Sequence, residues 1–179
     1  MGRVVEKKMV VVGDVGCGKT SILSAFSGLQ EDIVASVKIG RTQVRVSVVV
    51  TTGQEEYHRA RTLSYTDADV VVLVFSVDAP GTLVKVENMW WPEVKHFCFD
   101  APLLLVGNKK DLRVAPESTE LPVSFEEALQ TARKIKASGY IECSAVTKEG
   151  IDEMFNRAAQ LSLRKNGVRS LCGSCCTCL

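Results

Sequence analysis

Gly13-Asp14-Val15-Gly16-Cys17-Gly18-Lys19-Thr20 decides how the rest of the chain is read. The apolar run Met9-Val10-Val11-Val12 precedes it, and Ser21-Ile22-Leu23-Ser24-Ala25-Phe26, which reads as helix, follows. Strand, glycine-rich turn and helix are the context in which G-x-x-x-x-G-K-[ST] forms a phosphate cradle. Three glycines let the backbone turn tightly and aim successive N–H groups inward as an anion nest. The helix N-terminus adds partial positive charge and free N–H groups. Lys19 can reach the β- and γ-phosphates, and the Thr20 hydroxyl can hold Mg²⁺. A glycine-rich turn without a ligand would share the spacing, but not the strand and helix that flank it.

The chain has 179 residues, the size of one domain with a generous core. Hydrophobic residues make up 46% and charged residues 24%, ordinary for a soluble globular protein. Net charge is +1, so bulk charge argues neither for nor against nucleic acid, and no nucleic-acid partner is expected. No apolar run is long enough to span a bilayer. The first eight residues lack a signal-peptide pattern. Glu6 stands where myristoylation wants Ser or Thr, so Gly2 is not read as an acceptor. Seven cysteines show no framework spacing. Cys17, Cys98 and Cys143 are scattered and read as reduced thiols of a cytosolic protein. Cys172, Cys175, Cys176 and Cys178 crowd the C-terminus without the second cluster that a zinc site needs.

Residues 3–12 read as a central parallel strand and Lys19 to Ser27 as a helix stopped near Gly28. Glu31 to Ile39 alternates like an edge strand, turns at Gly40-Arg41-Thr42, and returns through Gln43 to Val50 as a hairpin. Thr51 to Arg61 is a polar stretch, and Val70 to Val77 a buried strand. Thr82 to Phe97 reads as a helix in which Trp90 and Trp91 are packing anchors. Pro102 to Gly107 is another central strand. Ser124 to Ala137 is an amphipathic helix opened by a capping box of Ser124 and Glu127. Tyr140 to Cys143 is a short last strand and Lys148 to Arg164 the last helix. Strands alternating with helices give an α/β fold, a doubly wound, mostly parallel sheet with right-handed crossovers.

Asn108-Lys109-Lys110-Asp111 narrows the ligand. It lies at the C-terminal end of a strand, where doubly wound sheets bind ligands. A carboxylate there can accept from both the ring N–H and the exocyclic amine of guanine. Adenine offers no such pair of donors on that edge, so Asp111 selects guanine. The stem of Lys109 can cover a base face. Ser144-Ala145, at another strand end, can offer a backbone N–H to the guanine carbonyl. Taken alone, the four residues would also fit a solvated polar loop.

With these residues assembled, nearly the whole chain resembles the Rho family within the Ras superfamily of small GTPases. The resemblance rests on Gly13 to Thr20, Gly53-Gln54-Glu55-Glu56-Tyr57, Leu63-Ser64-Tyr65, Trp91 to Cys98, Val106 to Arg113, and Glu142 to Ala145. It implies a P-loop NTPase G domain over residues 1–165, a six-stranded sheet with one antiparallel edge strand, and a tail over 166–179. It implies GTP or GDP held with Mg²⁺ by Gly13, Asp14, Val15, Gly16, Cys17, Gly18, Lys19, Thr20, Ser21, Gly53, Asn108, Lys109, Asp111, Ser144 and Ala145, with Thr20 as a metal ligand. Gln54 would be the catalytic residue that orients the attacking water, with an arginine finger from an activating protein. A monomer that signals through Rho-type regulators and effectors is expected.

The chain also departs from that family. Val15 stands where glycine or another small residue is usual, and its branched side chain would crowd Gln54 and an incoming arginine finger. Val50 replaces the aspartate that opens Asp-x-x-Gly and helps position Mg²⁺, so metal binding should weaken. Between Ser27 and Glu31 the chain is about ten residues shorter than the family pattern, which removes the switch I loop. The first helix is about 13 Å long, and three residues span at most about 10 Å. Either that helix loses its last turn or 31–34 becomes connector and the edge strand starts late. Val146 replaces a base-packing Lys or Leu, and the loop from Arg113 to Leu121 is too short for the usual insert helix.

The tail ends Cys176-Thr177-Cys178-Leu179, a C-a-a-X box that predicts geranylgeranylation of Cys176. One lipid seldom anchors stably. Cys172 and Cys175 are candidates for palmitoylation, beside a weak basic patch of Arg164, Lys165 and Arg169. The expected location is the cytoplasmic face of membranes. Two readings stand: a Rho-like nucleotide switch with slow or impaired hydrolysis, and a non-cycling pseudo-GTPase that acts as a scaffold. A third, an altered product without a stable fold, is opposed by the continuous apolar patterning.

Overall fold

The computed structural model describes residues 3–27, 34–54, 58–113 and 121–164. Six strands form one sheet: β1 (Arg3–Gly13), β2 (Val34–Ile39), β3 (Thr42–Val50), β4 (Val70–Ser76), β5 (Leu103–Asn108) and β6 (Tyr140–Glu142). Their spatial order is β2-β3-β1-β4-β5-β6. Every pairing is parallel except β2 with β3, so the sheet is mixed with one antiparallel edge strand, as the sequence predicts.

Alternation along the strands divides the core in two. Met9 and Val11 face one way, with Val72, Val74, Leu104 and Val106, under α1 (Lys19–Ser27) and α6 (Ile151–Ser162). Phe26 of α1 stacks on Phe155 of α6 with ring centroids 3.8 Å apart. Val10 and Val12 face the other way, with Leu73, Phe75 and Leu105, under Trp90, Val94, Ala128 and Ala132. The strands buried on both faces are the continuous Val/Leu runs, as expected for a parallel sheet with covered faces.

The helix between β4 and β5 has three parts. α3 (Pro80–Lys85) passes into a π-helical turn, Val86–Trp90, and then into α4 (Trp91–Phe97). Pro92 has no N–H to return to the previous turn, and the wider turn before it absorbs the loss. The two tryptophans part company here. Trp90 is fully buried with the Arg61 guanidinium 4.8 Å from its ring centroid, while Trp91 is only partly covered. Trp90 is therefore the anchor that the sequence suggests, and Trp91 is not its equal. α5 (Phe125–Lys134) opens with the expected capping box: Ser124 accepts from the Glu127 N–H, and Glu127 accepts from the Ser124 N–H.

Several boundaries differ from the sequence reading by a few residues. α2 (His58–Ser64) lies in what reads as a polar stretch. α6 starts at Ile151 after Gly150, whose φ of 73° is left-handed. α1 keeps all nine residues, so the helix does not lose its last turn, and β2 is described from Val34, which belongs to the strand rather than to a connector. Six residues separate the two described elements. Those residues, 28–33, lie outside the described ones, as do the short loop over 114–120 and the tail over 165–179.

Truncating Trp90 to Ala should remove about 3–5 kcal/mol of stability in urea unfolding, because it empties a closed site. Trp91→Ala should cost about 1 kcal/mol or less.

Candidate functional site

Four loops converge at the C-terminal ends of β1, β3, β5 and β6. The first is the phosphate loop. Gly13, Gly16 and Gly18 have φ of 152°, 78° and 84°, which lets the loop turn between β1 and α1. Gly18 could not be replaced by a larger residue, since a Cβ there would stand 2.3 Å from the Asn108 Nδ2 atom. Lys19 is buried and curls back over the loop, donating to the Gly13 carbonyl at 2.9 Å and the Asp14 carbonyl at 2.7 Å. Cys17 is wholly buried, and burial raises its thiol pKa against the opposing pull of Lys19. Thr20 and Ser21 are exposed on the first turn of α1. Asp14 is paired with Lys85 of α3 at 2.7 Å.

Asn108 joins this loop to the other side of the site. Its Nδ2 donates to the Cys17 carbonyl at 2.9 Å and reaches the Gly18 carbonyl at 3.5 Å. Its Oδ1 accepts from the Ala145 N–H at 3.3 Å and from the Cys143 thiol at 3.6 Å. Burial also pushes the Cys143 thiol up, to about 12. One carboxamide thus ties together the loops after β1, β5 and β6.

Beyond Asn108 the chain turns at Lys109, whose φ of 62° is left-handed, into a short 3₁₀ turn, Lys110–Arg113. Lys109 lies 3.5 Å from Asp78, which also accepts from the Ser76 hydroxyl. Arg113 pins the turn from below. It donates twice to Glu142, at 2.5 and 2.6 Å, and twice to the Val123 carbonyl. Burial opposes ionisation of Glu142, but the bonds from Arg113 and Tyr140 outweigh it and hold the carboxyl below its ordinary range.

Asp111 projects from this turn with its Oδ1 atom buried and, among the described residues, without a hydrogen-bond partner. A buried carboxylate oxygen left unpaired is costly, so it fits an acceptor waiting for a ligand donor. The Ser144 N–H is already used, donating to the Glu149 carbonyl at 2.9 Å. Among the described residues the Ala145 N–H makes only its long bond to Asn108, so it is the freer of the two to meet a base carbonyl. Val146, next in the chain, is 81% exposed and unshielded at the rim.

The fourth loop follows β3. Thr51 anchors it, donating to the Val11 carbonyl from both its N–H and its hydroxyl at 3.0 Å. Gly53 then packs flat on the phosphate loop. A Cβ there would stand 2.6 Å from the Val15 nitrogen and 2.8 Å from the Gly13 oxygen, so only glycine fits. The Gln54 side chain is exposed, one residue from that contact. Val15 is 58% exposed at the mouth of the cradle. Glu55, Glu56 and Tyr57 lie outside the described residues.

Arg61 is the residue that sequence reading missed. It is 2% exposed and donates to the Thr52 and Gln54 carbonyls at 3.2 and 3.1 Å. It also holds Glu93 with two bonds of 2.7 and 2.8 Å, and Tyr65 donates to the same carboxylate. The hydrogen bonds that Arg61 donates to Glu93 raise the guanidinium's pKa against burial and keep it charged. The only hint in the sequence is an arginine four residues before a tyrosine, too little to identify a buried cation.

The residues fit a guanine nucleotide better than they fit its metal. The nest, Lys19, Asn108 and the unpaired Asp111 oxygen suit the nucleotide. For Mg²⁺ the described residues offer the Thr20 hydroxyl at the phosphate loop. Val50 ends β3 packed against the apolar core, where it supplies no oxygen. Among the described residues, no three His, Cys, Asp or Glu side chains group to hold a metal ion.

Gly53→Ala should lower the free energy of unfolding by about 1–3 kcal/mol, since backbone on the facing loop must move. Gly81→Ala, in α3 with open space around its Cα, should be neutral or stabilising by up to about 1 kcal/mol. Thermal unfolding of both variants checks the contrast.

Known proteins agree with this geometry. The Ras family profile matches residues 8–164. The chain is 43% identical over 190 aligned positions to the Rho-related GTP-binding protein RhoB of Homo sapiens, and equally to that of Mus musculus. Each alignment covers 96% of this chain and 97% of the relative. The chain therefore belongs to the Rho family of the Ras superfamily of small GTPases.

Proposed function

We propose that this protein is a Rho-like, membrane-associated signalling protein that binds guanine nucleotide and hydrolyses GTP slowly or not at all. The observation that carries the guanine reading is the buried, unpaired Asp111 oxygen beside the Asn108 tie. The relatives are named GTP-binding proteins, which supports the same ligand. Gly13, Asp14, Val15, Gly16, Cys17, Gly18, Lys19, Thr20 and Ser21 would surround the phosphates, with Gly53 at the γ-phosphate end. Lys109, Asp111, Ser144 and Ala145 would surround the base.

Gln54 is the residue for orienting water, and two valines stand against its use. Val15 occupies the mouth beside it, where a branched side chain leaves little room for water and an incoming arginine. Val50 supplies no acceptor for metal-bound water, so Mg²⁺ is held weakly, through Thr20 and the nucleotide itself. Regulators and effectors of the Rho type would meet a surface altered by the short connection over 28–33.

The sequence of the tail supports attachment to the cytoplasmic face of a membrane. Cys176 would carry a geranylgeranyl group, and Cys172 and Cys175 would be palmitoyl acceptors. Among the described residues no helix is long and apolar enough to cross a membrane. The protein would act as a monomer. A second reading, a scaffold that does not cycle, is favoured by Val50 specifically, because a site without its metal carboxylate need not turn over.

Single-turnover hydrolysis with the purified chain tests the proposal. Val15→Gly with Val50→Asp should raise the intrinsic rate at least about tenfold, a barrier change of about 1.4 kcal/mol. Chelation should alter nucleotide release little in the parent chain and markedly in Val50→Asp. An ordinary Rho-type rate in the parent chain, stimulated normally by an activating protein, would refute impairment.

A further inference from the structure

The edge of the sheet opposite the phosphate loop carries a second feature. Between the end of α4 and the start of β5 lies a cavity of about 370 Å³. Three cations line it: Lys95, Lys136 and Arg164. They come from three elements, namely the last turn of α4, the residues after α5 and the residues after α6. None of the three makes a salt bridge among the described residues. One carboxylate, Asp100, shares the lining. Beside them stands Phe99, 85% exposed, an aromatic ring that the fold does not bury.

A local explanation covers part of this. Helix C-termini favour cations, and three helices end at this edge. That accounts for each charge singly. It does not account for their gathering around one cavity, nor for a phenylalanine left in water among them. Cations that bind phosphate and an aromatic ring that enters the headgroup layer are the pair that a membrane interface selects. The position suits that use. β5 is six residues long, so the cavity lies about 20 Å from the nucleotide loops, which would stay clear of the bilayer. Arg164 is also where the chain leaves for the tail that carries Cys176.

We propose that this edge is a docking site for anionic membrane: Lys95, Lys136 and Arg164 take lipid phosphate groups, and Phe99 enters the interface. The contact orients the domain with its nucleotide site away from the bilayer. It goes beyond lipid attachment and does not depend on it.

The test uses the full chain without lipid modification and vesicles of phosphatidylcholine, alone or with phosphatidylserine or a phosphoinositide. Trp91 lines the cavity while Trp90 is fully buried, so a change in tryptophan emission reports docking. Binding should require anionic lipid and weaken as salt rises. Each surface cation is worth roughly fivefold, so Lys95→Ser, Lys136→Ser and Arg164→Ser together should weaken partitioning about 100-fold. Phe99→Ser alone should weaken it about tenfold. Lys165→Ser with Arg169→Ser, in the tail, should have a smaller effect, and Cys176→Ser none. Circular dichroism and nucleotide content confirm that each variant is folded.

Equal binding by the triple variant would overturn the proposal, as would loss of binding only in the tail variant. Displacement from vesicles by millimolar inorganic phosphate at constant ionic strength would also overturn it, since the cavity would then be a soluble-anion site. Failure of the lipidation reading would leave all these results unchanged.

Discussion

The Asn108 carboxamide is the interaction on which the site depends. It donates to the phosphate loop and accepts from the loop after β6, so two halves of a ligand pocket from distant parts of the chain share one side chain. Its burial removes water as an alternative partner, which raises the cost of breaking the tie. Gly18 leaves the space that Asn108 needs, and Arg113 with Glu142 braces the turn that carries Asp111. The sheet places Asn108 by ending β5 beside β4 and β6, at the edge where doubly wound folds bind ligands.

A second bracing acts on the loop after β3. Arg61 and Glu93 hold its backbone from beneath, and Thr51 fixes its start to β1. Gly53 therefore rests against Val15 on a supported segment. The parts proposed to bind phosphate and base are thus well braced, while on the proposed reading Val15 and Val50 hinder the residues that would act on the phosphate. A site can lose the chemistry and keep the cradle, because the cradle is backbone and one lysine, whereas hydrolysis needs room and metal ligands beside it.

Much of this was legible in the sequence wherever local pattern and final structure coincide. The strands of continuous Val and Leu, the glycine loop between strand and helix, and the Ser124–Glu127 capping box each follow from residues close in the chain. α2 was not legible, because its buried side chains include Arg61, and a helix that buries a charge has no apolar period to read. The π-helical turn before Pro92 and the unequal fates of Trp90 and Trp91 likewise depend on packing against α5 and the sheet. Sequence geometry framed the short connection after α1 as a choice between helix and strand. It left the outcome open, since fraying either one would close the gap; α1 keeps its last turn, and the residues just before Val34 lie outside the described ones.

The most direct test of the account is the identity of the nucleotide that copurifies with the full chain, released by denaturation and resolved by ion-exchange chromatography. If the proposed guanine contact of Asp111 and the proposed impairment of hydrolysis hold, the chain should yield guanine nucleotide, with GTP in excess of GDP. Adenine nucleotide would contradict the Asp111 assignment. GDP alone would contradict impaired hydrolysis, and a chain free of nucleotide would contradict the binding function itself.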